Sequence, residues 1–241
     1  MRILACSIAL GMLLAGAACN DNPSSPGEVT DPRGPNTLTA AERAAGWRLL
    51  FDGTSTAGWR GFRQSTIPGG WRVVDAALTR VAGGGDIITV DQFANFELML
   101  EWQIAPAGNS GIMFRVSESA DATFHTGPEM QVLDNAGHPD AGNPLTRAGA
   151  CYSLYAPTAD VARPAGAWNE VRLVVNGALV QHWLNGVKIV EYELGSADWM
   201  ERLRTSFLSD FAAYGREPRG HIALQDHGDR VAYRSVKLRV M

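Results

Sequence analysis

From Trp47 onward, short runs of Val, Ile, Leu, Phe and Trp alternate with glycine clusters such as Pro68-Gly69-Gly70 and Gly83-Gly84-Gly85. This is the punctuation of strands and turns. It predicts strands over 71–74, 78–81, 86–90, 95–104, 111–117, 128–133, 150–154, 168–175, 178–184, 187–192, 221–225 and 231–240. Asn185-Gly186 supplies the positive φ angles of a tight hairpin, and Asn176-Gly177 joins the strand before it. Thr39-Ala40-Ala41-Glu42 has the spacing of a capping box, which predicts a short helix over Ala40–Ala45 stopped by Gly46; Ser196 opens a second over Ala197–Arg204. With no βαβ alternation and no fixed repeat, the pattern implies an all-β sandwich of two antiparallel sheets with one or two short peripheral helices.

Period-two alternation then sorts side chains by face. Glu129 and Gln131 share one face and Met130 and Val132 the other, with Leu133 on the polar side unless the strand bulges. Asn109, Gly111, Met113 and Arg115 share a parity, leaving Ile112, Phe114 and Val116 as a core face. Arg115 then emerges opposite the core, either in a surface ion pair worth at most about 1 kcal/mol or as a fork of donors for a carboxylate or developing oxyanion. Ile222 and Leu224 alternate with Ala223, Gln225 and His227. Histidine titrates near neutrality, which suits His227 to proton transfer or metal ligation. Asp134 and His138 flank a glycine turn that can approach the same cleft, whereas His125 and His182 read as structural.

The N-terminus changes the cellular picture. Arg2, an apolar run over Ile3–Leu14 and the small residues Ala15-Gly16-Ala17-Ala18 ahead of Cys19 form a secretory leader over 1–18. The run is too short to span a bilayer, which takes about 20 apolar residues. The small residues before Cys19 resemble a lipobox, with Gly16 where leucine is usual, so Cys19 is expected to carry the lipid; cleavage with a free thiol is the alternative. Residues 19–37, rich in Pro, Ser, Gly and Asp, read as a tether, and 38–241 as one domain. The expected location is the cell envelope, at the periplasmic side or surface of the outer membrane. Cys151 is then the one thiol of the folded part, and no internal disulfide forms. The formal charge of −4, with no basic block, excludes nucleic acid as a partner.

Several segments in order resemble the 3-keto-disaccharide hydrolase family of concanavalin-like jelly rolls: Gly46-Trp47 through Phe51-Asp52-Gly53 with Gly58-Trp59, Asn109-Ser110-Gly111 through Arg115, Gly127-Pro128-Glu129 through Asp134, His182-Trp183-Leu184-Asn185-Gly186, and Ile222 through Gln225-Asp226-His227-Gly228. The resemblance spans about Gly46 to Val240. It implies a carbohydrate substrate already oxidised to a ketone at carbon 3, and it implies that the Glu129 strand crosses the sugar-binding sheet, where a solvated outer face would otherwise explain the same pattern. The implied chemistry is elimination, with Glu129 as base, Arg115 or a bound cation stabilising the enolate, and His227 as acid. Asn109, Gln131, Asp134 and Gln225 would contact sugar hydroxyls, and Tyr152 and Trp183 would offer it flat rings. No cofactor is certain; a divalent cation held by residues from distant strands stays open, since no zinc spacing occurs. The alternatives are a two-carboxylate glycosidase built on Glu129 and Asp134 and a non-catalytic carbohydrate-binding lipoprotein.

Overall fold

The computed structural model describes residues 34–241; the leader, Cys19 and most of the tether lie outside them. Thirteen strands form: β1 (Arg48–Leu49), β2 (Trp59–Gly61), β3 (Trp71–Val74), β4 (Ala77–Arg80), β5 (Ile87–Thr89), β6 (Phe96–Ile104), β7 (Asn109–Val116), β8 (Glu129–Leu133), β9 (Asn169–Asn176), β10 (Leu179–Leu184), β11 (Val187–Glu193), β12 (His221–Leu224) and β13 (Val231–Val240). The described residues also form two short α-helices, α1 (Ala40–Ala44) and α2 (Ala197–Arg204), and four single 3-10 turns. Both open as the sequence requires: Thr39 and Glu42 close a reciprocal capping box, and the Ser196 hydroxyl accepts the Trp199 amide.

An eight-stranded sheet runs β11-β10-β9-β6-β13-β4-β3, with β1 on the other half of β13, and a five-stranded sheet runs β2-β5-β12-β7-β8. Every pairing is antiparallel. The molecule is thus a jelly-roll sandwich. The core fills the space between the sheets, with Leu98, Leu100, Trp102, Leu173 and Leu238 from one side and Ile112, Phe114, Met130, Val132 and Ile222 from the other. Ser110 ties the layers together, its hydroxyl bonded both to the Tyr233 hydroxyl and to the Gln225 carbonyl.

The architecture departs from the sequence-based expectation at four places. Residues 150–154 are not a strand: Cys151 makes only isolated bridges, to Met130 and Tyr155, because the chain turns back at Ser153, whose φ is 63°. The two-residue β1 and three-residue β2 are too short to show a period. Leu133 joins the main core instead of the polar face. Asn36, placed in the tether, is part of the domain: its amide donates to the Ala76 carbonyl and its side-chain oxygen accepts the Ser235 N–H.

The outer face of the larger sheet is a ladder of charges. Glu97, on β6, is buried between Arg172 and Arg239, and Arg234 grips Glu101. Burial alone would push the Glu97 carboxyl up, but the hydrogen bonds from Arg172 and Arg239 outweigh it and hold the group below the usual carboxylate range. A depressed folded-state value contributes stability above the unfolded carboxylate value of about 4.3, and that stability is lost as the pH falls through the folded value. Glu97→Gln is therefore expected to flatten the acid limb of the stability curve. Urea titrations between pH 3 and 7 check this; an unchanged acid limb would remove Glu97 from it.

Candidate active site

The face of the smaller sheet that points away from the core holds a hollow of about 230 Å³. Strand alternation delivers its polar floor: Asn109 opens β7, Glu129 and Gln131 sit two apart on β8, and Gln225 follows β12, with His227 two residues on at the exposed rim. Loops supply the walls. Tyr152 comes from the turn after Cys151, Phe124 from the turn after β7, and Phe207, Leu208 and Tyr214 from the segment after α2.

The carboxyl of Glu129 needs a gap in the neighbouring strand, and Gly111 provides it. A Cβ at 111 would overlap Glu129 Oε1, and the three atoms nearest to it all belong to Glu129. Glu129 is 6% exposed and makes no side-chain hydrogen bond to the described residues. Burial, reinforced by the nearby Asp86 carboxylate, raises its pKa to about 8. Asp86 is itself pushed up by burial, and it is held by the Thr123 hydroxyl and the Asp226 N–H. Around Glu129 three amides are left unsatisfied: Asn109 Oδ1, both polar atoms of Gln131, and Gln225 Oε1 are buried without a partner. Buried polar atoms rarely go unpaired. Three lining one hollow could pair with a ligand that carries several hydroxyl groups, since an amide offers a donor and an acceptor at once.

Six of the nine sequence-selected residues meet here: Asn109, Glu129, Gln131, Tyr152, Gln225 and His227. Arg115 does not. It takes a φ of 51°, β12 slips register beside it, and Val116 turns to join Met113 on the outer face. The guanidinium is thereby thrown to the sheet margin, where it donates to the carbonyls of Ala94 and Gly177. Trp183 lies on the outer face of the other sheet beneath Arg172. Asp134 is a loop anchor that accepts the amides of Ala107 and Ala136. Asp226, in the run that carries Gln225 and His227, is likewise structural, pairing with Arg80 at 2.6 Å and capping the amides of Gly84 and Gly85.

The other histidines have local partners. His182 is fully buried, faces the Gly149 carbonyl, and is lowered to about 4 by burial. His138 accepts the Asp140 amide, and His125 stacks on Phe211. Among the described residues no group of three or more His, Cys, Asp or Glu side chains could hold a metal ion.

Periodicity could not reveal Phe124, Phe207, Leu208 and Tyr214, because they stand on loops and single turns. Tyr214 is the inner end of a column of stacked rings, Tyr155, Tyr192, Trp199 and Tyr214, with successive centroids 4.9, 5.2 and 6.0 Å apart. The column fixes the pocket wall to α2. For the floor, Gly111→Ala is expected to cost about 1–3 kcal/mol through overpacking, most of it recovered in the Gly111→Ala/Glu129→Ala double variant. Urea denaturation of the variants checks this; additive losses would place the clash elsewhere.

Comparison with known proteins identifies the family. Residues 46–239 match the family described as the 3-keto-alpha-glucoside-1,2-lyase-like domain. The 3-keto-disaccharide hydrolase of Bacteroides thetaiotaomicron is 30% identical over 285 residues, covering 99% of this chain and 97% of that protein. A solved Parabacteroides distasonis structure with a glycosyl hydrolase designation superimposes with a TM-score of 0.81 at 34% identity, covering 86% of this chain and 99% of its own. A second from that organism gives 0.64 at 25% identity, covering 81% and 99%. With nearly the whole described domain inside the match, the chain belongs to the 3-keto-alpha-glucoside-1,2-lyase-like family and is a 3-keto-disaccharide hydrolase-like enzyme.

Proposed function

We propose that the enzyme cleaves the glycosidic bond of 3-keto-glycosides by elimination and then hydrates the product. The observation that carries this is a carboxyl unpaired among the described residues, with a pKa raised to about 8 and three amides with unpaired atoms around it. A ketone at carbon 3 acidifies the proton at carbon 2, and the oxygen on carbon 1 lies β to that carbonyl. Glu129 as carboxylate takes the carbon 2 proton; the electron pair forms the enolate and then expels the oxygen from carbon 1. Water added to carbon 1 of the enone, with a proton returned to carbon 2, gives the 3-keto sugar, so the net change is hydrolysis. A raised pKa makes Glu129 a strong base once ionised.

Without Arg115, the phenols of Tyr152 and Tyr214 are assigned as donors to the enolate oxygen. Burial raises both Tyr152 and Tyr214, keeping each protonated. His227, at the rim, is placed to protonate the departing oxygen, while Asn109, Gln131 and Gln225 hold ring hydroxyls. The two-carboxylate glycosidase reading loses its support, because Asp134 is engaged by backbone amides and does not line the hollow. We place the enzyme at the cell envelope, tethered through Cys19, on the strength of the leader sequence.

Protein beginning after Cys19 is expected to release the leaving group from an aryl 3-keto-glucoside and not from the unoxidised glucoside. Since the base must be ionised, kcat/KM should climb as the pH rises through about 8. Glu129→Gln should lower turnover by about 10²-fold or more with the fold intact. Release from the unoxidised sugar, or full activity in Glu129→Gln, would overturn the mechanism; loss on adding a chelator would add a metal to it.

A further inference from the structure

The hollow has two chemically different halves. The floor carries Asn109, Gln131 and Gln225 with unpaired amide atoms. The outer half is aromatic, formed by Tyr152 and Phe207 edge to face at 6.4 Å, with Phe207 also edge-on to Phe211 at 6.4 Å. Phe207 is 51% exposed, an apolar area that folding does not use. It is nevertheless held in place. The Ser206 side chain accepts the Leu208 amide and bonds the Ser153 hydroxyl at 3.0 Å, joining the two turns that carry Phe207 and Tyr152. Ser153 sits at a φ of 63°, a region that non-glycine residues seldom occupy. On the inner side, the Tyr152 amide donates to the Glu129 main-chain carbonyl, and both rings line the same hollow as the Glu129 carboxyl.

From this we infer that Tyr152 and Phe207 wall a leaving-group subsite whose preferred occupant is a flat, apolar ring, an aryl aglycone in place of a second sugar. The inference rests on the elimination reading above for which half holds the oxidised sugar. Hydroxyl-reading amides occupy the floor, so the ring that carries hydroxyls is bound there, and its carbon 1 substituent points to the aromatic half and the solvent. Two fixed rings meeting edge to face offer a flat apolar group area and quadrupole contacts, and neither ring brings a carboxylate or an amide to read a second set of hydroxyls.

The test uses ligands that cannot eliminate, 3-keto-glucose with phenyl, methyl or glucosyl joined through carbon at position 1, titrated calorimetrically into the purified protein. The phenyl compound should bind about tenfold tighter than the methyl one, the order expected from one aromatic contact. Phe207→Ala should erase most of that difference, and Phe207→Tyr, which keeps the ring, should preserve it. Equal affinity for phenyl and methyl, tighter binding of the glucosyl compound, no binding of any of them, or a phenyl preference that survives Phe207→Ala would each overturn the subsite. Turnover of keto-glycosides with no phenyl preference would sink this inference alone, whereas a phenyl preference without turnover would sink the elimination reading and leave the subsite standing.

Discussion

The two faces of the smaller sheet answer to different environments, and the rest of the molecule depends on that division. Ile112, Phe114, Met130, Val132, Ile222 and Leu224 close the core from one side. Their sequence neighbours must then face the other way, and on β7, β8 and the end of β12 those neighbours are Asn109, Gly111, Glu129, Gln131 and Gln225. Burying the apolar set is what aims the polar set. The loops that fold over this second face convert a solvated surface into a partly enclosed one, and the raised pKa of Glu129 follows from that enclosure. Fold stability and site chemistry are therefore the two sides of one alternating pattern.

The same logic explains what could be read from the sequence. Glu129, Gln131, Gln225 and Asn109 were legible because each stands two residues from a like-facing neighbour on a regular strand or at its edge. Arg115 followed the same parity and misled, since a positive φ and a register slip reverse the facing of the last residues of β7. No hydrophobic period announces such a bulge. Trp183 obeyed its alternation but on the larger sheet, and pairing order is not encoded in any single strand. Tyr214, Phe207 and Phe124 are delivered by turns whose position depends on tertiary contacts, such as the link between Ser153 and Ser206. Tyr152 was found through family resemblance, and its supposed strand is a turn.

The larger sheet solves a different problem. Its outer face carries arginines paired to Glu97 and Glu101 and laid over Trp47, Trp168 and Trp183. The guanidinium planes cover indole surface while their charges are matched. These three tryptophans, which would otherwise have offered apolar platforms to solvent, are capped by cations and need no substrate to cover them.

The fit of Glu129 over Gly111 has a consequence for descent within the family. Neither position is free to drift alone: a side chain at 111 evicts the carboxyl, and a shorter residue at 129 leaves a void beside a glycine that no longer has a purpose. Mutation meets the two as one locus. A relative that carries any side chain at the Gly111 position cannot hold a carboxyl in this way, whatever else of the sandwich it retains.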